Sequence, residues 1–236
     1  MDNFKRKANA LGVELSDRQL EQFKIYYEML VEKNKVMNLT AITEWEEVID
    51  KHFIDSISLI KACDLSGEKY ILDLGCGAGF PGIPLKIAFP NLNIVLLDSL
   101  NKRILFLKEV IEALGLEKVE ALHGRAEDYA RKTEYREQFD YCVSRAVANL
   151  TTLSEYCIPY VKEGGFFISY KSGKVKEELK EVKKALFILG GIVEDIITFE
   201  LPETDMERIF VKIKKEKKTP KKYPRKAGLP GKEPLK

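Results

Sequence analysis

Three glycines on alternate positions, Gly75, Gly77 and Gly79, follow an apolar run from Tyr70 to Leu74 that only Asp73 interrupts. Such a run suits a strand buried on both faces of a parallel sheet. The glycines let the chain leave that strand in a tight turn whose backbone can touch a ligand directly. One short segment therefore implies a strand, a turn and a following helix, with a small-molecule site at the strand's carboxyl end.

Glycine-rich turns of this kind serve dinucleotides as well as S-adenosylmethionine. A dinucleotide fingerprint G-x-G-x-x-G that starts at Gly75 needs a glycine at position 80, which is Phe80. One that starts at Gly77 finds Gly82, but Pro84 follows where an open helix turn is expected. By contrast, Asp73-Leu74-Gly75-Cys76-Gly77-Ala78-Gly79 resembles the D-x-G-x-G-x-G motif of class I methyltransferases at every fixed position. A purely structural glycine turn is the third reading.

At 236 residues, 45% of them hydrophobic, the chain can bury one sizeable core with a small appended region. Cys63, Cys76, Cys142 and Cys157 form no C-x-x-C pair, which argues against metal binding and a disulfide framework. No apolar run approaches the roughly 18 residues that span a bilayer, and the amino terminus is charged; a cytoplasmic protein, no membrane contact and a monomer are expected. The net charge of +2 hides an asymmetry. Residues 212–236 carry eleven Lys or Arg against Glu216 and Glu233, a local +9 that leaves −7 on the rest. Such a tail is either a solvated end or an arm for a polyanion, and an RNA arm would act independently of the cofactor pocket.

Ser16 and Gln19 open a helical pattern to about residue 34, with Leu20, Phe23, Tyr27, Leu30 and Val31 on one face. A second helix is expected over 43–63. Strands are expected near 70–75, 93–98, 118–122, 139–144 and 166–171, alternating with helices near 82–89, 101–114, 149–162 and 174–189. Two last strands, near 191–199 and 207–214, are spaced to pair antiparallel. The expected fold is α/β, a mostly parallel, Rossmann-like sheet of seven strands. Its parts would be a helical extension over 1–66, the sheet domain over 67–215 and a basic tail over 216–236.

Asp98 ends the second strand, 23 positions after Gly75, where an acid can accept both ribose hydroxyls of an adenosine; a helix cap is the plainer role. Ala126 and Glu127 follow the third strand, where this architecture frames the adenine, although Glu127 and Asp128 also suit the first turn of a helix. The fourth strand ends Ser144-Arg145-Ala146. The N-P-P-Tyr signature of exocyclic-amine methylation is absent there, and no proline precedes a cysteine as pyrimidine C5 methylation would need. An acceptor that already presents a lone pair, such as guanine N7, fits what remains, because it needs positioning but no base. Arg145 is odd beside a sulfonium and better suited to gripping a carboxylate or phosphate, or to stacking.

Six segments in order, Asn38-Leu39-Thr40, His52 to Ser56, Gly75 to Pro84, Ser144-Arg145-Ala146, Tyr170-Lys171 and Tyr223 to Pro230, resemble the ribosomal small-subunit RNA methyltransferase G family, also called glucose-inhibited division protein B. The resemblance covers nearly the whole chain. It implies a class I fold with an amino-terminal helical extension, S-adenosyl-L-methionine as cofactor, and methylation of N7 of one guanine in a decoding-region loop of 16S rRNA, free or in a small-subunit precursor. It further implies that Gly75, Phe80, Ala126, Glu127 and Arg145 line the cofactor pocket. Asn38, His52, Lys171, Arg225 and Lys226 become candidates for RNA or guanine contacts. Each also has a plainer role, as turn residue, packed histidine, strand-end charge or tail. A small-molecule methyltransferase and a non-catalytic RNA-binding protein with a retained pocket are the competing functions. The tail argues against the first, and the intact Asp73, glycine loop and Asp98 argue against the second.

Overall fold

The computed structural model describes residues 1–145, 148–173 and 175–235. Strands β1 (Tyr70–Leu74), β2 (Asn93–Asp98), β3 (Val119–His123), β4 (Phe139–Ser144), β5 (Val161–Lys171), β6 (Gly191–Glu200) and β7 (Glu207–Lys215) form one sheet in the order β3-β2-β1-β4-β5-β7-β6. The first five pair in parallel, and β7 runs antiparallel between β5 and β6. This is the expected α/β topology. The order in which strands are added reverses between the parallel β1 and β4, so the carboxyl ends of both strands open onto one crevice.

β1 is buried on both faces. Ile71 belongs to one core with buried residues of α1 (Asp2–Ala10), α2 (Asp17–Met37), α5 (Gly82–Ala88) and α6 (Asn101–Ala113), while Leu72 and Leu74 belong to a second with those of α8 (Leu150–Cys157) and α9 (Val175–Leu189). Ser16 and Gln19 close a reciprocal capping box on α2, and Leu20, Phe23, Tyr26 and Leu30 are its buried face. The helix stops at Asn38, which takes a left-handed conformation (φ 50°).

Three expectations need correction. Helix α1 was not legible in a charged amino terminus, yet Phe4 and Ala8 are fully buried, and Lys7 pairs with Asp50 at 2.5 Å. The helix expected over 43–63 is broken into α3 (Trp45–Val48), a π-helical turn Ile49–Ile54, α4 (Asp55–Ile57) and a 3₁₀ turn Ser58–Lys61. Residues 52–59 are all buried, and a regular amphipathic helix cannot turn eight consecutive side chains inward. Strand β5 starts at Val161 rather than near 166, because a bulge opposite Phe139 and Tyr141 brings Gly165 against the Asp140 carbonyl, where a Cβ would sit 2.6 Å away. The helix expected near 82–89 is α5, and Pro84 lies in its first turn, where proline is tolerated.

Two short helices, α7 (Ala126–Tyr129) and α10 (Leu229–Lys232), complete the fold. α10 belongs to the basic tail, which is docked rather than solvated: Tyr223, Pro224 and Pro230 are buried. No helix among the described residues is long and apolar enough to cross a membrane.

The amino-terminal helices and the sheet share one core. Phe4 meets Phe23 (ring centroids 4.8 Å), Phe23 meets Phe53 (4.9 Å), and Tyr26 meets Phe80 of the glycine loop (5.4 Å). Tyr26 Oη also donates to the Ala78 carbonyl at 2.7 Å, a fully buried bond from α2 to the loop. Tyr26→Phe leaves that carbonyl unpaired and is expected to lower unfolding free energy by about 1–3 kcal/mol. Urea denaturation measures it, and a loss below about 0.3 kcal/mol would mean that α2 does not secure the loop.

Candidate active site

The glycine loop leaves β1 with Gly75, Gly77 and Gly79 all at positive φ (74°, 59° and 109°), which side-chain-bearing residues rarely adopt. Their surroundings differ. A Cβ on Gly79 would lie 2.8 Å from Ile83, Leu107 and Tyr26 Oη, so this glycine serves packing. A Cβ on Gly77 would meet nothing within 4 Å, so this residue borders open space at the crevice. Asp73 braces the loop from beneath: its Oδ2 accepts the Gly82 N–H at 2.7 Å, and Oδ1 has no partner among the described residues. Burial pushes its carboxyl up to about 7, against the Gly82 hydrogen bond and the Arg145 charge, which lower it.

Asp98 stands at the end of β2, 4% exposed. Its Oδ2 accepts from Gly77 N–H (3.0 Å) and Arg103 (3.3 Å), and Oδ1 accepts from Leu100 N–H (2.8 Å). The acid therefore performs the helix-cap-like duty and still leaves Oδ1 a lone pair for a hydroxyl. The Ala126 carbonyl accepts from Tyr160 Oη (2.6 Å), and the buried Glu127 accepts the N–H of Gly228 at 2.7 Å. Open space at Gly77, an acid at the end of β2 and a second buried acid after β3 are a donor and acceptor set that fits an adenosyl group carrying hydroxyls and an exocyclic amine.

Beyond β4, Phe80 joins the loop to a second group of residues. Its ring stacks on His52 (4.4 Å, 22°) and carries the Arg145 guanidinium 5.1 Å from its centre. Arg145 donates to Asp55 Oδ2 (2.8 Å) and to the Lys51 carbonyl (3.0 Å), while Asp55 Oδ1 accepts from Arg208 (2.7 Å). Arg145 thus grips a carboxylate and stacks on a ring, both within its own chain. Lys51, His52, Asp55, Arg145 and Arg208 line a cavity of about 800 Å³ with Lys171 and Glu178. Lys171 donates to Glu178 (2.7 Å) and to the Ala148 carbonyl (2.9 Å).

The structure brings His52, Arg145 and Lys171 together around this cavity. Asn38, Arg225 and Lys226 are not among its lining residues. Asn38 caps α2, Lys226 is exposed, and Arg225 is paired with Glu155. Ala146, in the motif with Arg145, lies outside the described residues. Sequence reasoning assigned no role to Asp55 or Arg208. Asp55 lies three residues beyond His52, a helical spacing that put it in reach; Arg208 offered no signal, since its partner is 153 positions away.

His52 is 8% exposed. His52 Nε2 lies 2.9 Å from Thr40 Oγ1, which accepts the Ile42 N–H, and Nδ1 lies 3.0 Å from the Lys51 carbonyl and 3.3 Å from the Arg145 guanidinium. Burial first, and the Arg145 charge second, push the imidazole down to about 4.

The parallel sheet, the antiparallel last strands and the ligand crevice define a class I methyltransferase. The same fold occurs in M. jannaschii TYW2 in complex with AdoMet (TM-score 0.52, 14% identity, 68% of this chain and 76% of that one) and in precorrin-6y C5,15-methyltransferase from Geobacter metallireducens (TM-score 0.50, 14% identity, 68% and 87%). Residues 19–207 match the family described as rRNA small subunit methyltransferase G. The chain is 61% identical to the ribosomal RNA small subunit methyltransferase G of Lachnoclostridium phytofermentans, over 96% of this chain and 93% of that protein. It is 55% identical to the protein of the same name from Staphylococcus saprophyticus, over 95% and 93%. The chain belongs to the rRNA small subunit methyltransferase G family.

The depressed His52 has a measurable sign. The folded imidazole resists protonation, so stability is complete above about pH 6.5 and is lost as pH falls toward 4, by about 3 kcal/mol in all. The chain has two histidines, so a His123→Gln variant reports His52 alone. Its NMR titration is expected near pH 4; a midpoint near 6.5 would show that burial and the Arg145 charge do not act on the ring.

Proposed function

We propose that this chain transfers the methyl group of S-adenosylmethionine to N7 of one guanine in 16S rRNA, free or within a small-subunit precursor. The observation that carries the N7 assignment is the charge state of the cavity. Its two acids are both engaged, Asp55 by Arg145 and Arg208, and Glu178 by Lys171 and the Leu150 N–H. His52 is a weak base at about 4. A cavity so furnished can position and desolvate an acceptor but offers no ready proton acceptor, which suits a nitrogen whose lone pair is already free.

S-adenosylmethionine, when bound, supplies an electrophilic methyl group on a sulfonium. Gly75 and Gly77 would leave room for it, Asp98 would accept a ribose hydroxyl, and Ala126 and Glu127 would frame the adenine. Asp55 removes the difficulty of a cation beside a sulfonium, because it neutralises the guanidinium that Phe80 carries. His52 and Arg145 then present flat groups beside an incoming base, and the exposed Lys217, Lys218, Lys221, Lys222 and Lys226 suit phosphates. The names of the relatives support an RNA rather than a small molecule as acceptor.

If no proton must leave the acceptor, single-turnover rates with 16S rRNA stay flat between about pH 6 and 9. His52→Gln is expected to slow transfer through lost positioning without bending that profile. A rate that climbs tenfold per pH unit over part of the range would overturn N7 and point to an amine or hydroxyl acceptor.

A further inference from the structure

The basic tail is fastened by bonds that have no need of RNA. The Arg136 guanidinium donates to the carbonyls of Thr219 (2.8 Å) and Tyr223 (3.0 Å), and Arg131 donates to that of Pro224 (2.6 Å). Arg225 forms a fork on Glu155 (2.9 and 2.7 Å), and its backbone N–H adds a third bond to the same carboxylate (2.8 Å). The Glu155 side chain is 1% exposed. Without Arg225, α8 would hold a buried, uncompensated carboxylate, a strongly unfavourable state. The docked tail is therefore the stable arrangement of the chain, and salt does little to loosen an ion pair so well covered.

Beyond Arg225 the tail turns at Gly228 (φ 81°) and presents its N–H to Glu127 Oε1 at 2.7 Å. Thr152 Oγ1 ties the next turn by donating to the Pro230 carbonyl (3.2 Å). Glu127 is 4% exposed, and Gly228 is the partner that fixes one of its oxygens. A carboxylate that must receive an exocyclic amine in one orientation needs such a fixed second bond, since a free one would rotate or take up a proton as it is buried.

We infer that the segment 223–230 is a wall of the cofactor site: Arg225 anchors it on Glu155, and Gly228 orients Glu127 for the adenine amine, so cofactor affinity depends on the carboxyl-terminal tail. Arg225 and Gly228 are positioning residues in this scheme, acting through Glu127. The inference rests on the proposed use of S-adenosylmethionine. It reverses the expectation that the tail serves RNA alone and leaves the pocket untouched.

Calorimetric titration of S-adenosylmethionine into the full chain without RNA tests it. Arg225→Ala and Glu127→Gln are each expected to raise Kd about tenfold or more. The double variant should be no worse than the poorer single one, because both changes remove the same oriented carboxylate. Unchanged affinity in a folded Arg225→Ala variant, or additive losses, would overturn the inference. Amide hydrogen exchange of the unsubstituted protein gives a second readout that no folding defect can obscure. Residues 223–230 should exchange more slowly when the cofactor saturates the protein, and identical exchange with and without it would also overturn the inference. Failure of the unsubstituted protein to bind S-adenosylmethionine at all would instead remove the proposed function, and this inference with it.

Discussion

The imidazole of His52 and the guanidinium of Arg145, 3.3 Å apart, both rest against Phe80, and much of the site depends on that cluster. A loop with three glycines at positive φ loses more conformational freedom on folding than any other segment of its length, so something outside it must hold it. The holding group is aromatic. Phe80 rests on Tyr26, Tyr26 and Phe23 on Phe53, and Phe23 on Phe4, so a column of rings runs from the first helix to the crevice. Each such contact contributes about 0.5–1.5 kcal/mol beyond its buried area, and the Tyr26 hydroxyl adds a directional bond to the loop backbone. The amino-terminal helices are thus part of the site's foundation. The π-helical turn belongs to the same logic, since it turns both His52 and Phe53 inward.

Charge is arranged with equal care. The buried acids near the crevice each have fixed partners: Asp55 has Arg145 and Arg208, Asp98 has Arg103 and two backbone amides, Glu155 has Arg225, and Glu127 has the Gly228 amide. Asp73 has the Gly82 amide on Oδ2, but its Oδ1 has no partner among the described residues and burial pushes its carboxyl up to about 7. A crevice meant for a sulfonium on one side and a polyanion on the other gains from this neutrality, because an unpaired guanidinium would repel the first and an unpaired carboxylate the second. Excess positive charge is kept for the exposed lysines of the tail.

The parallel strands were legible because period and length agree: Tyr70–Leu74 and Asn93–Asp98 are short apolar runs bounded by turn chemistry. The loop was legible because glycine is the residue its backbone demands. What escaped was whatever tertiary contact decided. Helix α1 carries a charged sequence and is secured by Phe4 and the Lys7–Asp50 pair, which no local pattern reveals. Gly164 and Gly165 read as a loop, yet they belong to β5 because a bulge needs a residue without Cβ there. At the site, His52, Arg145 and Lys171 were found as motif residues and share one cavity, whereas the part played by Asp55 depends on Arg208, far away in sequence. The tail was read through its charge and its Tyr223–Pro230 motif as an RNA contact, and its docking through Arg225 and Glu155 is a pairing across 70 positions.

Nucleoside analysis of the RNA product tests the central claim most directly. Small-subunit rRNA lacking the modification would be incubated with the protein and methyl-labelled S-adenosylmethionine, digested to nucleosides and resolved by mass spectrometry. Label is expected in 7-methylguanosine, at about one methyl per RNA chain. Label in a ribose, in an exocyclic amine or in no nucleoside at all would contradict it.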